Sequence, residues 1–301
     1  MAHRRDAPPV SDADALASPD TYALGVPYDR LERLRARTPV VWQEGRPAGD
    51  PGAWAVLRYV DVRSALAHAE LFAPDPAEPR HGPVTGAAGD PDLPIDMEPP
   101  ARSLVARMRP EEPADFVGEV TAELPETLRN TLAGGVYALL RSPEQYARLR
   151  AAPGDDDLLD AAVEEMLRWW TPVMRVRRVV LRATSVGGVP LLAGERVSLW
   201  LTAANHDEDA FPEPGRFVPD RFLPASLAAQ RPQGTGPVRP HLCFGHAAHA
   251  CLGGTLARVH LRALLSALLD RPGRLVPAGE PVRLRSSSRH GFERLPVRWT
   301  A

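Results

Sequence analysis

The chain has 301 residues, a formal net charge of −2 and 44% hydrophobic residues, enough for one large globular core or two small ones. That balance points away from nucleic acid, and no apolar run approaches the ~20 residues of a membrane span. The start, MAHRRDAPPVSDADALASPD, has no apolar h-region, so a cytoplasmic location is expected.

In chain order, residues 1–20 are polar and proline-rich and read as a flexible tail. YDRLERLRARTPVVWQEG reads as an amphipathic helix ending before Pro39 and passing into a strand, and GAWAVLRYVDVRSALAHAELF as a strand followed by a helix. Between Pro79 and Pro100 glycine, proline and aspartate dominate, which predicts a long surface loop; ARSLVARM is a helical fragment beyond it. Pro125 fits the first turn of a new helix, since an interior proline would break one. Ser142-Pro143-Glu144-Gln145 has the form of a capping box. After PGDDD, the spacing of Leu158, Leu159, Ala162, Val163, Met166 and Leu167 predicts a helix that ends before Pro172. From Met174 to Leu201 the sequence alternates and is cut by Gly187-Gly188 and Gly194, the pattern of short antiparallel strands, and short strands are also expected after Arg271.

The stretch RPHLCFGHAAHACLGGTLARVHLRALLSALLDR holds both cysteines, Cys243 and Cys251, and four histidines ahead of an apolar-periodic helix. Two cysteines are too few for a disulfide framework. Three readings stand: small core residues; a zinc set of Cys243, His246, His249 and Cys251, whose spacing lacks the usual close ligand pairs; or a Cys251 thiolate at the N-terminus of a helix beginning near Leu252. In the third, unpaired N–H groups favour the anion and glycines admit a flat ligand, the physics of a haem-thiolate site.

These residues resemble a known family. FGHAAHACLGG is similar to the cysteine-ligand loop of bacterial soluble cytochromes P450, Phe-Gly-x-Gly-x-His-x-Cys-x-Gly, with Ala247 replacing the second glycine. The resemblance implies a haem b cofactor with Cys251 as axial ligand, Phe244, Gly245 and Gly253 around it, and His249 at a haem propionate. EEMLR resembles the family's Glu-x-x-Arg motif in Glu165 and Arg168, and PEPGRF supplies Arg216 to complete the structural triad. Arg178 falls where the family places a propionate-binding arginine, although a strand-surface charge would look the same.

The resemblance implies a mainly α fold with small antiparallel sheets, as one domain over residues 21–301. The chain is about a quarter shorter than that fold usually requires. LPIDMEPPARSLVARM resembles helix C and its approach, DFVGEVTAELP the end of helix D, and ETLRNTLAGGVYALL the second half of helix I. A join near Pro125-Glu126 would therefore omit helices E to H, the F–G lid and the first half of helix I. Glu126 and Thr127 match the acid–alcohol pair that serves dioxygen chemistry in the family, with Glu123 and Leu124 where Ala-Gly is expected. In helix C, Arg102 and Ala106 occupy the propionate-binding positions, with Arg107 beside them.

The expected function is a haem-thiolate oxidoreductase acting on a small organic substrate, with a ferredoxin-type electron donor or peroxide, and with another chain as a candidate cover for the open distal face. Two alternatives accompany it. One is a non-catalytic scaffold for a biosynthetic pathway. The other is a deletion product that folds poorly because apolar surface is uncovered.

Overall fold

The computed structural model describes residues 11–45, 51–77, 98–224, 227 and 239–300. The expected flexible tail does not hold for its second half, where α1 (Ser11–Ala17) and α2 (Pro19–Ala23) are helical. The reason is burial: Leu16 is wholly enclosed, Tyr22 Oη donates to Leu16 O at 2.8 Å, and Gln43 Nε2 donates to Ala13 O at 3.0 Å. Residues 1–10 lie outside the described residues.

α3 (Tyr28–Arg37) turns Leu31 and Leu34 inward and stops ahead of Pro39, as its sequence predicts. β1 (Val40–Gln43), β2 (Ala53–Val56), α4 (Tyr59–Ala67) and β3 (Phe72–Pro74) follow. Most of the loop expected over 79–100 lies outside the described residues, and α5 (Glu98–Ala106) begins at its end. DFVGEVTAELP is not the end of a long helix. β4 (Pro113–Asp115) leads into a single wide turn, Phe116–Val120, because the Asp115 carboxylate accepts from both Val117 N at 3.2 Å and Leu295 N at 2.9 Å.

α6 (Glu126–Arg141) starts directly after Pro125, whose φ of −51° suits a helix entrance. α7 (Pro143–Ala151) has proline at its first position as expected, but the Ser142 hydroxyl makes no capping bond; the Ser142 carbonyl accepts from Gln145 and Tyr146 instead. α8 (Asp156–Trp170) is capped by Asp155, which accepts from Leu158 N at 2.9 Å, and ends at Thr171 before Pro172. β5 (Val176–Val180) precedes the hairpin of β6 (Thr184–Val186) and β7 (Val189–Leu191), whose two turn residues, Gly187 and Gly188, have φ of 57° and 81°. β8 (Arg196–Leu199), α9 (Leu201–Asn205), α10 (Gly254–Asp270), β9 (Arg274–Pro277), β10 (Val282–Arg283), β11 (Phe292–Arg294) and β12 (Pro296–Thr300) complete the order.

The largest sheet runs β1-β2-β8-β5-β3 and is antiparallel except where β2 pairs with β8 in parallel, Trp54 opposite Val197. The main core lies between α6, α8 and α10. Gly134 and Gly135 let α6 cross α8 closely: a Cβ at these positions would lie 2.0 Å from the Trp170 ring and 2.4 Å from Met166 Sδ. The fold is mainly α with small, mostly antiparallel sheets.

The apolar wound expected of a poorly folding deletion product is absent from the described residues. Leu124 and Leu128, on either side of the expected join, are buried. Among the described residues the exposed large apolar side chains are Leu24, Val60, Leu181, Leu192, Leu252, Val259 and Val282, none of them on α6 or α8.

Candidate functional site

The cysteine loop doubles back ahead of α10. Gly245 makes the reversal with φ of 74°, and a Cβ there would lie 2.3 Å from the His249 carbonyl oxygen. Cys251 N then donates to Phe244 O at 2.7 Å, closing the loop. Ala247, at the second glycine position, keeps the left-handed backbone that a glycine would have, with φ of 49°. α10 begins at Gly254 with Gly253 as its cap, so Cys251 precedes the helix rather than entering its first turn near Leu252.

The two cysteines have different surroundings. Cys243 Sγ donates to Leu167 O at 3.0 Å and accepts from Asn205 Nδ2 at 3.2 Å, so it is engaged as a thiol by α8 and α9. Cys251 is exposed, and its sulfur has no hydrogen-bond partner among the described residues. The zinc reading fails on the same geometry: His246 Nε2 accepts from Arg63 Nε at 3.2 Å and His249 Nε2 donates to Phe72 O at 3.0 Å. Among the described residues no three such groups converge on a metal site.

A cavity of about 550 Å³ separates the cysteine loop from α6. Cys251, Phe244, Gly245, Gly253, His249 and Arg178 line it, together with apolar Leu66, Leu128, Val173, Val176, Leu201 and Leu261, and Thr127 and Thr131 from α6. Thr131 Oγ1 donates to Thr127 O at 2.7 Å. Arg178 is half-buried on β5, where its Nη1 donates to Arg177 O at 2.7 Å.

Three residues named from sequence are elsewhere. Glu126 does not line the cavity; its carboxylate pairs with Arg289 Nη1 at 2.6 Å. Arg102 borders a separate groove with Arg150, Asp155, Asp156 and Arg262, and Arg107 Nη2 donates to Glu123 Oε1 at 2.9 Å. α5 is drawn to α10 instead of the cysteine loop, with Arg271 Nη1 donating to Val105 O at 2.6 Å.

Beneath the cavity, Glu165 and Arg168 form a fully buried two-point ion pair at 2.7 and 2.8 Å. Arg168 also donates to Asn205 O at 2.9 Å and to Arg216 O at 3.1 Å. The third side chain of the set is Arg221, whose Nε lies 3.4 Å from Glu165 Oε1. Arg216, expected in that role, contributes only its carbonyl; its guanidinium pairs with Glu213 in solvent. FVPDRF, next to the chosen motif, carried the signal that sequence reasoning missed.

A largely apolar cavity, one uncommitted thiol and a half-buried cation in its lining suit an iron porphyrin bearing carboxylates. The cytochrome P450 family model matches residues 101–272, and haem b is that family's cofactor. The chain is 39% identical over 176 residues to a methyl-branched lipid omega-hydroxylase of Mycobacterium tuberculosis (strain ATCC 25618 / H37Rv), a match covering 58% of this chain and 37% of that one. It is 31% identical over 303 residues to cytochrome P450 GfsF of Streptomyces halstedii, covering 97% of this chain and 65% of that relative. The chain thus spans well under two thirds of the first of these relatives. The solved structure of cytochrome P450-153 from Novosphingobium aromaticivorans superposes with a TM-score of 0.78 at 28% identity, across 96% of this chain and 99% of that one. A match reaching so far across both chains accords with a shortening inside the fold. With its buried Glu-x-x-Arg pair and its cysteine loop in place under that shared architecture, the chain belongs to the cytochrome P450 family.

Proposed function

We propose that this chain binds haem b through Cys251 and works as a haem-thiolate oxidoreductase that inserts oxygen into a small apolar organic substrate. The observation that carries the reading is the contrast between the cysteines: Cys243 is committed to the Leu167 carbonyl, while Cys251 stands exposed at the apolar cavity. When bound, a thiolate-ligated haem supplies dioxygen chemistry, the thiolate pushing electron density that favours O–O cleavage.

The chain's own residues hold and shape that chemistry. Cys251 ligates through sulfur. Arg178 offers a cation to a propionate, and His249, tied at Nε2 to Phe72, is held at the cavity wall. Thr127 places the α6 hydroxyl at which a proton is held, and Glu126, paired with Arg289, takes no part. Leu66, Leu128, Val173 and Leu201 exclude water and favour a neutral, apolar substrate. The relative named for lipid omega-hydroxylation supports that substrate class. Electrons would come from a ferredoxin-type donor, or peroxide would replace both electrons and dioxygen.

The test is a hemin titration of the haem-free protein. Wild type takes up one haem per chain, Arg178→Ala binds about tenfold more weakly through loss of a charge-assisted contact, and Cys251→Ala loses thiolate ligation. Uptake by Cys251→Ala with an unchanged spectrum would overturn the assignment.

A further inference from the structure

Consecutive glutamates on α8 face different ways. Glu165 holds the buried scaffold, whereas Glu164 grips Arg258 of α10, with Oε2 2.9 Å from Nη2 and Oε1 against Nε. His241 completes the cluster, its Nε2 3.2 Å from Glu164 Oε2 and its Nδ1 accepting from Cys243 N at 3.3 Å. The Arg258 guanidinium lies over the Phe244 ring, 4.6 Å from its centre. Phe244 in turn accepts the Cys251 backbone N–H and lines the same cavity wall. The ion pair therefore stands one residue from the cysteine: Arg258 lies on the Phe244 ring, and the Phe244 carbonyl holds the Cys251 N–H.

The charges in that pair are firm. Burial works against the Glu164 charge, but hydrogen bonds from Arg258 and His241 outweigh it and hold its carboxyl down at about 2. An arginine remains protonated throughout the working range. Arg258 is thus paired with a firm anion, and the pair sits behind Phe244 of the cysteine loop.

We infer that Glu164 and Arg258 are positioning residues that set the electron density at Cys251, Arg258 raising and Glu164 lowering the local positive potential behind Phe244. This rests on Cys251 as the haem ligand. Removing Glu164 leaves an uncompensated cation and makes the thiolate less electron-rich. Removing Arg258 leaves an uncompensated anion and does the reverse. A contact that merely kept the loop folded would give both changes the same sign.

The experiment compares wild type, Glu164→Gln, Arg258→Gln and the double variant by two readouts. The first is the rate of iodoacetamide labelling of Cys251 in haem-free protein at neutral pH, with the Cys243 and Cys251 peptides resolved by mass. The second is the ferric/ferrous midpoint potential of the haem-loaded protein. Expected labelling is two- to fivefold faster in Glu164→Gln and two- to fivefold slower in Arg258→Gln, with the double variant returning towards wild type. The potentials should rise and fall in the same order. Changes of one sign in both single variants, or none, would overturn the inference. If wild type fails to form a thiolate-ligated haem, the proposed function falls, while the labelling comparison still shows whether the pair acts on Cys251.

Discussion

Arg221 approaches Glu165 to 3.4 Å, while Arg216, five residues earlier in the same irregular segment, points its guanidinium at Glu213 in solvent. A short helical turn at Pro219–Phe222 packs Arg221 against α8, leaving it almost fully buried, and Arg221 Nη2 is fixed by donating to Glu213 O at 2.9 Å. The buried carboxylate of Glu165 thus faces two arginines, Arg168 and Arg221.

That relationship predicts unequal costs. Arg221→Ala leaves a buried carboxylate with one cation fewer and should destabilise the fold by about 2–4 kcal/mol, whereas Arg216→Ala breaks only an exposed pair and should cost about 0.5 kcal/mol or less. Urea denaturation of both variants checks this; equal losses would contradict the assignment.

The two cysteines should separate cleanly. Cys243→Ala removes a thiol held by Leu167 O and Asn205 Nδ2 and should cost about 1–2 kcal/mol of stability while leaving haem uptake intact. A Cys243→Ala protein that loses haem ligation as completely as Cys251→Ala would show that the hydrogen-bonded thiol had been misjudged.

Ala247 holds a left-handed backbone with φ of 49° where a side chain is unwelcome. Ala247→Gly should relieve about 1–2 kcal/mol of strain, offset in part by the greater freedom of glycine in the unfolded chain. The net gain should be about 0.5–1 kcal/mol, visible as a rise of a few degrees in melting temperature. A fall would mean that the alanine methyl makes a contact worth more than the strain.

Acid should loosen the fold before its carboxylates titrate. His290 is buried, stacked 3.6 Å from Trp170, and burial pushes its pKa down to about 3 despite its hydrogen bond to Trp170 O. Burial first, and then Arg168, also lowers His206. For both, the unfolded state binds the proton more readily, so their stabilising effect is complete above about pH 6.5 and declines as pH falls towards the folded pKa. Unfolding free energy should drop by about 2–4 kcal/mol between pH 7 and 5, and a flat profile over that interval would contradict the buried neutral state.

Much of this was legible from local signals. The Asp155 cap, the Gly187-Gly188 hairpin and the helix starting after Pro125 each follow from residue types that permit few other conformations. The cysteine loop was legible because Gly245 and Cys251 stand at a fixed interval in one reversal. What escaped depended on contacts distant in sequence. Arg102 stands on a helix whose face is chosen by α10, through Arg271, and nothing within ARSLVARM encodes that choice. Arg216 and Arg221 occupy similar proline-flanked stretches, PEPGRF and FVPDRF, and packing against α8 selects the second. Leu16 looked like part of a mobile tail because the tyrosine that binds its carbonyl follows six residues later.

The most direct test of the central claim is the absorbance difference spectrum of the haem-loaded protein, reduced and exposed to carbon monoxide. The account predicts a Soret band at the position characteristic of ferrous carbon monoxide haem with a thiolate ligand, and its loss in Cys251→Ala. Folded, monodisperse wild-type protein that takes up no haem, or that binds it without that band, would contradict Cys251 ligation and the proposed function with it.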